Sequence, residues 1–89
     1  MNDEQRRSAF ERARSVKDAH ESELMAKANV VGVGVGLRKR GGAHTDDVAL
    51  VVLVREKVPR SALAPEDIIP SEINGMPVDV QEVGEISAL

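Results

Sequence analysis

The stretch VVGVGVGL, residues 30–37, constrains the fold of this chain more than any other. It places Gly32, Gly34 and Gly36 at every second position of an otherwise valine-rich run. Successive side chains of an extended strand point to opposite faces. One face of this strand therefore carries Val31, Val33, Val35 and Leu37, and the other carries bare backbone. Glycine packs nothing and loses the most backbone freedom on folding, so a strand built this way must leave room for something. Two readings follow from the residues. Either a neighbouring element approaches closely inside the fold, the preceding helix with Ala9, Ala13 and Ala28 being one candidate, or the strand adds to another sheet edge, since register is weakly specified in glycine-rich strands.

Around this strand the sequence predicts a small α+β fold: a long N-terminal helix, then a three- to four-stranded, mainly antiparallel sheet with a short helical turn. Residues 3–27 are rich in Ala, Glu, Arg and Lys and free of Gly and Pro, as a helix requires. Phe10, Ala13, Leu24 and Ala28 form a thin apolar stripe interrupted by Lys17 and His20. It predicts a largely solvated helix tacked on through Phe10 and Leu24, with Glu23–Lys27 and Arg7–Glu11 as supporting pairs. RKRGGAHTDD reads as a long hairpin loop. VALVVLV, residues 48–54, reads as a central strand covered on both faces. Ser61 is positioned to cap one helical turn that Pro65 stops. Asn74-Gly75 marks a tight hairpin. Val78 and Val80 alternate with Asp79 and Gln81 in a half-exposed last strand, and Pro77 suits a strand edge or terminus. The organisation expected is a helix at 1–28, a domain at 29–86 and a tail at 87–89.

Composition excludes several function classes. There is no cysteine, and His20 and His44 are the only histidines, so disulfides and thiolate metal sites are out and no metal or other cofactor is expected. The net charge is −3 and Phe10 is the sole aromatic residue, which argues against nucleic-acid binding. Six basic and three acidic residues fall in 29–60, against six acidic and no basic ones from residue 61 onward. The N-terminal stretch MNDEQRRSAFERAR lacks an apolar signal core, and no apolar run approaches the ~20 residues of a membrane span. A cytoplasmic protein without membrane contact is the expectation.

The glycines do not form a nucleotide loop. A dinucleotide fingerprint needs G-x-G-x-x-G leading into a helix, but Leu37 and Lys39 occupy the two possible third-glycine positions. Catalytic residues are likewise not expected: His44 and Asp47 share a loop with no nucleophile motif beside them. The chain reads as a non-enzyme.

Three blocks carry a family resemblance. NVVGVGVG (29–36) fits an N-V-x-G-V-G-x-G strand, VVLVREKVP (51–59) fits a VV-x-V-x-x-K-x-P strand, and IPSEINGMPVDVQEVG (69–84) fits an IP-x-x-I-x-G-x-P-V-D-V close. In that order they resemble the segment preceding the protease domain in bacterial trypsin-like serine peptidases and related narrow-leaf-type plant proteins. No residue here matches the catalytic motif of that family. The resemblance therefore implies a non-catalytic interaction module that docks on, or regulates, a trypsin-like peptidase. The alternative is a self-assembling structural protein, a homo-oligomer. The expected interaction residues are Gly32, Gly34, Gly36, Arg38, Lys39, Arg40 and Phe10, with the three cations steering acidic surfaces.

Overall fold

The computed structural model describes residues 2–84. The expected tail at 87–89, and the last two residues of the expected domain at 29–86, lie outside the described residues. Along the chain come α1 (Asp3–Met25), β1 (Val30–Arg40), β2 (Ala43–Val54), two 3-10 turns (Arg60–Ala62 and Pro65–Asp67), β3 (Glu72–Ile73) and β4 (Met76–Glu82). The strands form one sheet in the order β1-β2-β4-β3, so the α+β expectation holds. Pairings β1/β2 and β3/β4 are antiparallel, but β2 and β4 run parallel. The sheet is thus mixed. Parallel neighbours need a long crossover, and residues 55–75 supply it.

Helix α1 starts on a capping box: the Asn2 side chain accepts from the Gln5 N–H while the Gln5 side chain accepts from the Asn2 N–H, satisfying two otherwise orphaned donors. The helix ends at Met25, two residues earlier than the sequence suggests, and Asn29, at φ 75°, completes the turn into β1. Asparagine tolerates that left-handed conformation better than most residues. The expected pairs along α1 do not form. Lys27 instead donates from Nζ to the Glu66 carbonyl, while Lys17 pairs with Glu21 at 2.9 Å. The hydrogen bond to Glu21, and then its charge, holds the Lys17 amine above its usual range.

Helix α1 lies on the valine face of the sheet. Ala9, Ala13 and Leu24 are buried against Val30, Val48, Leu50, Val52, Val54, Met76 and Val78, with Phe10, Val16, Val33, Val35 and Leu37 packed around them. The helix is therefore more deeply seated than its thin stripe suggests, because two alanines let its backbone close on the sheet. Ala28 is exposed and takes no part. Strand β2 is central, as expected, but unequally covered. Val48, Leu50, Val52 and Val54 are buried under α1, whereas Val51 and Leu53 on the opposite face are half-buried.

Two local expectations fail. The segment read as a long hairpin loop is strand almost throughout: β1 continues to Arg40, β2 begins at Ala43, and only Gly41 and Gly42 turn the chain, at φ 58° and 83°. Two consecutive positive-φ residues make the tight turn whose twist matches paired strands. Ser61 caps nothing; its 3-10 turn follows Pro59 without a side-chain cap, and a second turn begins at Pro65. The Asn74-Gly75 turn forms as expected, at φ 50° and 80°. Pro77 sits at the second position of β4, beside the two-residue β3.

Candidate interaction surface

The register of β1 on β2 assigns the two faces. Val33, Val35 and Leu37 sit opposite Val52, Leu50 and Val48 on the helix side; Gly32, Gly34 and Gly36 sit opposite Leu53, Val51 and Ala49 on the other. The glycines therefore do not admit α1, which packs on the valine side. A Cβ at Gly32 would lie 3.3 Å from Leu53 Cδ1 and one at Gly36 would lie 3.4 Å from Val51 Cγ2, but one at Gly34 would meet nothing within 4 Å. The described fold does not require a glycine at 34.

What the glycine face does accommodate is a bend. The register slips between Leu37 and Lys39, and such bulges bend and twist a strand. Beyond it, the Lys39 N–H donates to Asp79 Oδ2 at 2.9 Å. Strand β2 separates β1 from β4 in the sheet, so this bond requires the hairpin end to curl over the glycine face. Ala49 is fully buried at the bend; with Gly36 opposite, its small side chain suits the inside of a curve. Gln81 Nε2 also donates to Asp79 Oδ2, at 2.9 Å, so one carboxylate holds two donors.

Of the residues expected to interact, the structure brings the three glycines together on one face and places Lys39 and Arg40 exposed at the curled hairpin end, with Arg38 half-buried. The Arg38 carbonyl accepts from Thr45 Oγ1 at 2.9 Å. Phe10 does not join them; it packs on the helix-side core, across the sheet.

The glycine face borders an open edge. Strand β1 is the first in the sheet, and among the described residues no strand pairs with its outer side. Alternate N–H and C=O groups of an edge strand point outward, ready to pair with another chain. Natural edges are usually blunted by charge, proline, bulges or a cover; β1 has register shifts between Val30 and Gly32 and between Leu37 and Lys39, and the regular stretch 32–37 between them contains neither a charge nor a proline.

Sequence reasoning missed a second feature, a cleft of about 240 Å³ at the far end of the sheet. Val54, Val58, Leu63, Ile68, Ile69 and Val80 supply its apolar wall, with Lys57 and Arg60 also lining it. The only signal was the apolar spacing inside the proline-rich crossover, which reads equally well as solvated loop. The histidines are separate: His20 Nδ1 is 3.6 Å from Glu23 and Nε2 is 3.4 Å from Asn74 Nδ2, while His44 Nδ1 lies 3.4 Å from the Leu37 carbonyl. Among the described residues no three His, Cys, Asp or Glu side chains cluster to hold a metal ion, and no helix is long and apolar enough to cross a membrane.

These features define a small helix-on-sheet module with one sheet edge that is unpaired among the described residues and uncharged over 30–37. The chain belongs to the NARROW LEAF 1 N-terminal domain family, whose model matches residues 14–83. The match spans the second half of α1 and the whole sheet, including the three blocks that carried the narrow-leaf resemblance except Gly84. It gives no link to bacterial trypsin-like peptidases. Among curated proteins, none matches the chain.

Proposed function

We propose that the chain is a non-catalytic protein-interaction module that docks through the outer edge of β1, and that its partner is a trypsin-like peptidase which it binds or regulates in the cytoplasm. The observation that carries the docking element is the regular edge of residues 32–37, free of charge and proline and unpaired among the described residues. Strand addition to such an edge derives affinity from main-chain hydrogen bonds and selectivity from alternate side chains. The peptidase half of the reading is supported by the resemblance of residues 29–84 to a segment that precedes a protease domain.

Affinity capture of the tagged chain from its native source, with bound proteins identified by mass spectrometry, tests both halves when run beside Gly34→Pro and Val35→Pro. In an antiparallel edge strand alternate N–H groups face outward, so one of these variants breaks a ladder bond and the other removes only an outward donor. The better-folded variant is expected to lose a trypsin-like peptidase that the unmodified chain retains. Retention of the peptidase by that variant contradicts the edge as docking element, and recovery of no peptidase contradicts the partner.

A further inference from the structure

We infer that the β1 edge pairs with the β1 edge of a second copy of this chain, antiparallel about a two-fold axis through Gly34. The inference rests on the edge being a docking element, as proposed above; a second copy occupies it when no peptidase is bound, and the two compete for the same main-chain groups.

The segment V-G-V-G-V-G-L (31–37) reads almost identically from either end about Gly34. A two-fold contact is self-complementary: whatever residue i meets on the partner, the partner's copy of i meets here. Antiparallel pairing centred on Gly34 sets Gly34 against Gly34, Gly32 against Gly36, Val33 against Val35, and Val31 against Leu37. Every glycine then faces a glycine on one side of the joined sheets, and Val33 faces Val35 on the side covered by α1, while Val31, at the register shift between Val30 and Gly32, lies at the end of the regular contact. Val33, Val35 and Leu37 are only partly buried in one copy, and cross-strand apolar pairs are the stabilising unit of a sheet.

Charge selects the same arrangement. Arg38, Lys39 and Arg40 all lie at one end of β1. Parallel pairing in register would set three cations beside three cations, and like charges directly opposite are destabilising. The antiparallel register places Arg38 opposite Val30 and carries Lys39 and Arg40 past the start of the partner strand. At Gly34, on the axis, the open space around a Cβ leaves room for a side chain from each copy.

The native chain has no cysteine, so single-cysteine variants report the register. Strand partners about 4.5–5.5 Å apart fall within disulfide range. Under mild oxidation Gly34→Cys should cross-link to itself rapidly and nearly completely. Gly36→Cys alone should stay largely uncross-linked, whereas a mixture of Gly32→Cys and Gly36→Cys should form the mixed dimer at least tenfold faster than either self-dimer. In parallel, the unmodified chain at a few hundred micromolar should show twice its 9.6 kDa mass by light scattering, and a mixture of Gly34→Glu with Gly34→Lys should dimerise better than either alone. A monomeric mass, or equal cross-linking at positions 34 and 36, overturns the inference. If that occurs while the better-folded proline variant still loses a captured peptidase, the docking edge stands and only the second copy falls. If neither self-pairing nor that loss occurs, both fall.

Discussion

The two faces of this sheet are made from the same strands and behave oppositely. On the helix side, Leu50 and Val52 are fully buried under Ala9, Ala13 and Leu24. On the glycine side, only Ala49 reaches comparable burial, at the bend, and Gly34 faces open space. Among the described residues, one face holds the fold together; the other is crossed by the curled hairpin end and leaves open space at Gly34. A small domain has little stability to spare, and that open space is what the proposed docking would use.

The largest test of this contrast lies on the packed side. Leu50→Ala should cost about 3–4 kcal/mol in urea unfolding, the range for truncating a fully buried leucine; a cost below 1 kcal/mol would mean the helix side is not the main core. Next comes the Asn74-Gly75 turn that aims β4 into the sheet: Gly75→Ala should cost about 1–2 kcal/mol, because φ 80° is strained for any residue with a Cβ. Equal stability of that variant would place the strand register under packing control alone. The curled hairpin is held more lightly. Asp79→Ala should cost about 1 kcal/mol and speed hydrogen exchange at the Lys39 amide severalfold while leaving the amides of β2 unchanged. The smallest effect should come from Gly34→Ala, which should leave stability unchanged or raise it by about 0.5 kcal/mol. A loss above 1 kcal/mol would mean the glycine face is already packed within one copy.

Much of this organisation was legible from local chemistry. Period-two valines located β1, the β-branched run 48–54 located β2, and Asn74-Gly75 located the β3/β4 turn, because each depends on neighbours in sequence. Three features were not legible. The parallel β2/β4 pairing depends on how residues 55–75 cross over, and nothing local in that proline-rich segment specifies it. The length of the β1/β2 hairpin was hidden because polar Arg38–Asp47 resembles a loop, while the actual turn is only Gly41-Gly42. The side on which α1 packs was ambiguous because alanine on the helix fits close approach to either face. For the candidate surface, the glycines were visible in sequence, but not that they line a bend, nor that Phe10 lies across the sheet from them.

The most direct test of the docking edge is residue-resolved amide hydrogen exchange along β1, measured on dilute protein, on concentrated protein and with any captured partner. An alternating pattern is expected in the dilute sample, with every second amide of residues 32–37 exchanging fast, and protection of those fast amides once the edge is occupied. Fast amides that stay equally fast under all three conditions would contradict it.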